Sequence, residues 1–261
     1  MIARSHINAW RTTAPWQDNE QVEQDLIICR SLVEIFSDEV LSKNLAFRGG
    51  TALHKLHTTA QTRYSEDIDL VQIKAEPIGN IIDCLRDKLS FLGTPKINQK
   101  SFNNTIVFKY ESEIAPVRTM KLKVEINCRE HFSVYGYKKL PFSVSSEWFK
   151  GKCDITTFEL DDLLGTKVRA LYQRKKGRDL FDLFYVLTET KANPKRIAHA
   201  FHKYMEHEGH KVSQREFILN MEKKMKEVEF TNDMKNLLRP EVNFDMGKAW
   251  DLVRKDLIEL L

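Results

Sequence analysis

The sequence has little of what secreted, zinc-binding or membrane proteins need. It has only 4 cysteines in 261 residues, and they are scattered without a CxxC or Cys/His ligand spacing. This pattern predicts reduced thiols, no disulfides and no zinc site. Residues 1–16 lack the apolar core of a signal peptide, and no run approaches the ~18 apolar residues of a membrane span. We therefore expect a cytoplasmic protein with no membrane partner.

A strong charge of one sign is also absent. The 41 Lys and Arg residues and the 37 Asp and Glu residues give a formal net charge of +4, which permits contact with nucleic acid without requiring it. There is no internal repeat and no low-complexity tract. The length allows a sizeable core, in one or two domains.

Short runs of β-branched and aromatic residues alternate with helical patterns in the first part of the chain, and from Phe158 onward the pattern is helical. The predicted strands are 45–48, 68–73, 104–110 and 120–127, with an edge strand at 142–145. The predicted helices are 19–41, 51–56, 78–92, 159–175, 178–190, 194–207, 213–228, 230–238 and 246–260. Residues 1–18 are predicted to be an arm that Trp10 and Trp16 anchor. This order predicts an α+β fold with a core domain at 1–150 and a helical domain at 151–261, divided within residues 150–155.

Two acids are separated by one apolar residue shortly after a glycine pair. In a strand, Asp67 and Asp69 share one face, and two carboxylates on one face can bind Mg²⁺. Gly49 and Gly50 can bring backbone amides close to a phosphate at the start of a helix that Thr51 caps. The alternatives are a solvated Asp-x-Asp loop and an ordinary glycine turn.

Glu125 lies in a strand pattern whose neighbours Val124 and Ile126 face the other way. Three carboxylates from neighbouring strands could hold two cations around a phosphoryl displacement, with Glu125 as the third ligand or the general base. The alternative is a solvated strand face on which Lys123 lies beside Glu125.

Two helices of the last part carry charge where apolar residues are expected. Lys167 lies within a stripe of leucines and needs an anion, either a carboxylate or the triphosphate of a nucleotide. Asp182 lies among aromatic and leucine residues, whereas Asp179 suits the helix dipole in a first turn. A buried Lys167–Asp182 pair that only fixes the helices is the alternative.

A basic cluster near Lys167 could follow a nucleic-acid backbone, or it could be a solvated face. Its members are Arg169, Arg174, Lys175, Lys176 and Arg178.

Four motifs in order give the chain a family resemblance. They are FRGGTAL (47–53), RYSEDID (63–69), VEI (124–126), and LGTK (164–167) followed by DLFD (179–182). With these motifs the chain resembles the nucleotidyltransferase toxins of the AbiEii type over about residues 45–190. The resemblance implies a polymerase-β-like nucleotidyltransferase fold, with a mixed sheet flanked by helices and an added C-terminal helical region that completes the active site. Residues 1–44 and 191–261 carry no motif that identifies a substrate.

The resemblance also implies a function. Family members act in toxin–antitoxin and phage-defence systems, and several attach nucleotides from a nucleoside triphosphate, with Mg²⁺, to the 3′ end of tRNA, which blocks translation. The antitoxin is typically a winged-helix repressor that need not form a stable complex with the toxin. The alternatives are transfer to a small molecule or a protein side chain, and a non-catalytic RNA-binding module.

The resemblance assigns roles to residues of this chain. Two cations would be held by Asp67, Asp69 and Glu125. Lys167, oriented by Asp182, would neutralise the triphosphate. The nucleotide would bind at Gly49, Gly50, Thr51, Arg63, Ser65 and Lys167, and RNA would bind at Arg169, Arg174, Lys175, Lys176 and Arg178.

Overall fold

The structure, a computed structural model, describes residues 2–100 and 102–261. The chain divides into two compact units. The first contains the chain up to Leu56, then Tyr64–Phe132 and Gly136–Phe158; the second contains His57–Arg63, Ser133–Tyr135 and Glu159–Leu261. Two short segments from the first part of the sequence therefore belong to the second unit.

The first unit is built on one mixed sheet. Within the described residues it has seven strands in the order β3-β4-β5-β2-β1-β7-β6. The β2–β5 and β1–β7 pairs are parallel and the other pairs are antiparallel, which confirms the predicted mixed sheet. The strands are β1 Leu45–Arg48, β2 Ile68–Gln72, β3 Lys96–Gln99, β4 Asn103–Glu111, β5 Thr119–Asn127, β6 Tyr137–Ser145 and β7 Lys150–Phe158.

Helices accompany the sheet in the first unit and make up most of the second. In the first unit they are α1 Arg4–Trp10, α2 Asn19–Phe36, α3 Glu39–Asn44, α4 Gly49–Ala52 and α5 Gly79–Lys88. In the second unit they are α6 Leu160–Gln173, α7 Gly177–Glu189, α8 Pro194–His207, α9 Gln214–Lys224, α10 Val228–Asn232 and α11 Met246–Asp256. The predicted C-terminal helical region is confirmed. No helix of the described chain is long and apolar enough to span a bilayer.

The predicted arm is anchored as its tryptophans suggested, although part of it is helical. The indole nitrogen of Trp10, at the end of α1, donates to Asp25 Oδ1 at 3.0 Å, and the Trp16 indole lies 3.4 Å from Asp25 Oδ2. The Lys55 ammonium is 2.9 Å from the same carboxylate. Because Asp25 is buried on α2, these polar contacts stabilise its charge and fix the arm to the first unit.

Two strands are missing from the sequence prediction. β7 occupies the stretch where the domain boundary was expected, and the first compact unit ends eight residues beyond residue 150, at Phe158. The first half of β7 is partly exposed and contains Lys150, Lys152 and Asp154, so its composition does not indicate a strand. Its pairing with β6 over nine residues forms it. β3 is short and mostly exposed, and it forms by pairing with β4.

Candidate active site

The glycine turn lies against one of the predicted acids. β1 ends at Arg48, and Gly49 follows with φ +80°, a conformation that favours glycine. A Cβ at Gly49 would overlap the Asp69 carboxylate. Glycine is therefore needed here for its backbone angle and for the close approach of Asp69.

Thr51 does not cap the helix, contrary to the prediction. Helix α4 begins at Gly49 after Arg48, which makes no side-chain capping hydrogen bond. The buried Thr51 hydroxyl lies 2.6 Å from the Asp67 carbonyl oxygen and 2.8 Å from Ser65 Oγ. Thr51 therefore ties the start of α4 to the segment that carries Asp67, and it fixes the position of that acid.

The acids lie on one face of neighbouring strands. In the β1–β2–β5 register, Asp69 is opposite Arg48 on one side and Glu125 on the other. The side chains that alternate with them, Ile68, Leu70, Val124 and Ile126, are buried, so the other face of these strands packs into the core. Asp67 precedes β2 by one residue. Asp69 and Glu125 are thus adjacent across the parallel strand pair.

A lysine lies among these acids. The Lys123 ammonium is 2.9 Å from Asp67 Oδ2 and 3.5 Å from Glu125 Oε1. Burial alone would lower the pKa of Lys123, but the hydrogen bond to Asp67 and the charges of Asp67, Glu125 and Asp69 raise it above its usual value. Lys123 is therefore a protonated counter-ion at neutral pH. Strand alternation placed it beside Glu125, but the site prediction gave it no role.

The carboxylates of Asp67, Asp69 and Glu125 are of the chemical type that binds a divalent cation. In the structure, Asp67 and Glu125 contact the Lys123 ammonium instead. Half-exposed carboxylates are the hard oxygen ligands that Mg²⁺ prefers. Over the residues that the structure describes, no three His, Cys, Asp or Glu side chains are grouped closely enough to hold a metal ion. Lys123 lies between Asp67 and Glu125, so a cation bound by both would displace its ammonium.

The second unit contains a buried ionic cluster. Lys167 Nζ is 2.7 Å from Asp182 Oδ2 and 3.3 Å from Asp179 Oδ1. The Asp182 carboxylate also accepts two hydrogen bonds, at 2.6 and 2.7 Å, from the guanidinium of Arg63. Arg174 binds Asp179 in the same bidentate way, at 2.6 and 2.7 Å. The Lys167–Asp182 pair was foreseen, whereas Arg63, 119 residues from Asp182 in sequence, was not recognised as a partner.

The structure indicates roles for Asp179 and Arg63 that differ from the predicted ones. Asp179 is fully buried and is not merely a first-turn acid: burial raises its pKa, but the charges of Lys167 and Arg174 and the Arg174 hydrogen bond lower it below its usual value. Arg63 was assigned to the nucleotide, yet its side chain is 2% exposed and bound to Asp182. This geometry favours a structural role for Arg63.

The predicted RNA-binding cluster is neutralised within the second unit. Arg169 is buried and pairs with Glu208 at 3.2 Å, while its guanidinium stacks on Tyr204. Each of the other four members also has an acidic partner: Arg174 with Asp179, Lys175 with Glu227, Lys176 with Glu229 and Asp233, and Arg178 with Asp233. RNA phosphates would have to compete with these acids.

A comparison with protein-family models shows which family the chain belongs to. The model described as nucleotidyl transferase AbiEii toxin, type IV TA system, matches residues 30–254. The chain belongs to the AbiEii family. This family assignment makes the chain a nucleotidyltransferase toxin of a toxin–antitoxin system, and it implies a nucleotide substrate and an antitoxin partner.

Two solved structures share the fold of this chain. MenT4, a nucleotidyltransferase toxin from Mycobacterium tuberculosis H37Rv, is similar with a TM-score of 0.64 and 14% identity, over 100% of this chain and 90% of that chain. A candidate nucleotidyltransferase from H. pylori gives a TM-score of 0.51 and 15% identity, over 94% of this chain and 99% of that one. No curated protein sequence matches the chain.

Proposed function

We propose that this AbiEii-family toxin transfers a nucleoside monophosphate from a nucleoside triphosphate to the 3′ end of tRNA, and so blocks translation. The observation that carries the proposal is the adjacency of Asp69 and Glu125 in the strand register, with Asp67 beside them and the Gly49 turn against Asp69. Carboxylates from two neighbouring strands next to a glycine turn suit phosphoryl transfer, in which catalysis is largely positioning and charge stabilisation.

In this mechanism the 3′ hydroxyl of the RNA attacks the α-phosphorus and pyrophosphate leaves. Glu125 accepts or orients the hydroxyl proton, and the Gly49–Gly50 backbone binds leaving phosphate oxygens. Thr51 and Ser65 hold the segment that carries Asp67. The residues that would bind Mg²⁺ are Asp67, Asp69 and Glu125, and the bound ions would neutralise charge on the triphosphate.

The partners follow from the same proposal. We propose a cytoplasmic toxin of phage defence whose antitoxin is a winged-helix repressor that does not form a stable complex with it. Incubation of the two purified proteins followed by size-exclusion chromatography tests for such a complex. Co-elution at micromolar concentration would contradict this part of the proposal.

A transfer assay tests the proposed reaction. Purified protein is incubated with each of the four α-³²P-labelled triphosphates, Mg²⁺ and total tRNA, and a parallel reaction contains cell lysate without RNA. We expect label on tRNA and release of pyrophosphate, both abolished by EDTA. Label on a small molecule or on protein alone would favour the other acceptor classes. RNA binding in EDTA with no pyrophosphate release in Mg²⁺ would favour a non-catalytic binding module.

A further inference from the structure

One face of the β3–β4–β5 part of the sheet is open. Buried and accessible residues alternate along β4 and β5, so each strand has one face in the core and one towards solvent. The accessible face is the one that carries Glu125. We call it the open sheet face; its members on β3, β4 and β5 are Lys96, Asn98, Asn103, Thr105, Val107, Lys109, Glu111, Thr119, Lys121, Lys123, Glu125 and Asn127.

The strand register arranges these side chains in rows. Asn98, Thr105, Glu125 and Asp69 form one row across four strands. The next row along β5 contains Lys96, Val107 and Lys123, and the row after it contains Lys109 and Lys121. A strand rises about 3.3 Å per residue, so Lys121 lies roughly 13 Å from Glu125 along β5. The rows that contain lysines therefore adjoin the row that contains Asp69 and Glu125. Glu111 lies beyond the lysines, at the end of β4.

Three lysines on this face are available to a ligand. Lys96, Lys109 and Lys121 are exposed, and none of them has an acid within salt-bridge distance among the described residues. This distinguishes them from the 169–178 cluster, whose five members are all paired with acids.

Two of these lysines do not stabilise the folded sheet. Lys109 and Lys121 lie directly opposite each other across the β4–β5 pair, and like charges in that position destabilise a sheet. A bound polyanion would reduce this repulsion, because its phosphates would neutralise the ammonium groups.

We propose that the open sheet face binds the phosphate backbone of the acceptor RNA through Lys96, Lys109 and Lys121, and leads its 3′ end towards Asp69 and Glu125. The inference rests on the proposed function and gives the acceptor a location on the molecule. It assigns the main RNA contact to the sheet instead of to the 169–178 cluster.

Neutralisation of the three lysines tests the inference. Binding of fluorescein-labelled total tRNA to the full-length protein is measured in EDTA, without nucleotide, from 50 to 200 mM salt. The combined Lys96→Gln, Lys109→Gln and Lys121→Gln variant should bind on the order of 100-fold more weakly at about 100 mM salt. The slope of log Kd against log salt should fall by about 2 to 3, as expected for the loss of three phosphate contacts. In the transfer assay, KM for tRNA should rise and KM for the triphosphate should stay unchanged.

Two controls make the result specific. The corresponding triple arginine variant keeps the charge and should keep the affinity and the salt slope. Lys175→Gln with Lys176→Gln removes two acid-paired lysines and should change the affinity less than twofold. Circular dichroism melting confirms that each variant is folded.

The possible failures are distinguishable. If the wild-type protein transfers label to tRNA and the triple glutamine variant keeps its affinity and slope, the open sheet face is not the docking surface. If the Lys175/Lys176 variant instead loses the affinity, the helical cluster binds the RNA and the inference is wrong. If the wild-type protein neither binds nor labels RNA, the proposed function fails, and the inference fails with it.

Discussion

Replacing Gly49 with alanine tests whether the glycine turn sets the position of Asp69. Gly49 has φ +80°, and a Cβ there would overlap the Asp69 carboxylate. Gly136 provides a matched control in the same compact unit, because it has φ +88° and nothing lies within 4 Å of its would-be Cβ. The two substitutions therefore share the backbone cost and differ in the collision with the acid.

The shared cost can be stated from the backbone alone. A non-glycine residue in the left-handed region costs about 1–2 kcal/mol, so both variants should unfold at a melting temperature a few degrees lower. Only Gly49→Ala must also move the Asp69 side chain. A displacement of about 1 Å in a catalytic group can cost 10²-fold in rate, so Gly49→Ala should lose transfer activity by about that factor.

The assay is label transfer to tRNA at a saturating concentration of triphosphate, with circular dichroism melting as the measure of stability. Gly136→Ala should retain transfer within a few-fold of the wild-type rate. A Gly49→Ala protein with the wild-type rate would refute the idea that the turn positions Asp69. An equal loss in both variants would attribute the effect to backbone strain, not to the acid.

Three further changes probe single charges. Asp67→Asn should abolish transfer and leave the melting temperature within a few degrees of wild type; equal activity in this variant would refute the metal assignment. Lys123→Met removes the ammonium between Asp67 and Glu125, so Mn²⁺ should bind the nucleotide-free protein more tightly. Electron paramagnetic resonance measures the Mn²⁺ affinity, and an unchanged affinity would show that Lys123 does not compete for the site. Asp182→Ala leaves Lys167 buried without its 2.7 Å partner, and it should lower the free energy of unfolding by about 3–5 kcal/mol in urea titrations. A loss below about 1 kcal/mol would show that the buried ionic cluster contributes little to stability.

Local pattern was enough to predict the strands that carry the acids. Asp67 and Asp69 alternate with Ile68 and Leu70, and Glu125 alternates with Val124 and Ile126, so period-2 burial specified which side chains share a face. That Asp69 lies next to Glu125 is a property of the parallel β2–β5 register, which no single segment of sequence contains.

The elements that were missed depend on distant partners. β7 begins with alternating charged and small residues, and it is a strand because β6 pairs with it. Helix α1 is short, and its last residue, Trp10, is anchored by Asp25 on another helix. Arg63 lies beside the acid motif in sequence, so it was assigned to the nucleotide, but its guanidinium binds Asp182 in the second unit. A short motif can therefore combine a residue that positions the fold with residues that carry chemistry.

The presence or absence of an acidic partner distinguishes basic residues that stabilise the fold from basic residues that are available to a ligand. In the second unit, Lys167, Arg63 and the 169–178 cluster all bind carboxylates of the same unit, so their charges are explained by the folded chain. On the open sheet face, Lys109 and Lys121 face each other without an acid at salt-bridge distance in the described chain. Folding alone does not favour this arrangement, and an anionic ligand would. Since Glu125 lies on the same strand face as Lys121, the proposed binding of RNA and the proposed chemistry on its 3′ end can share one sheet.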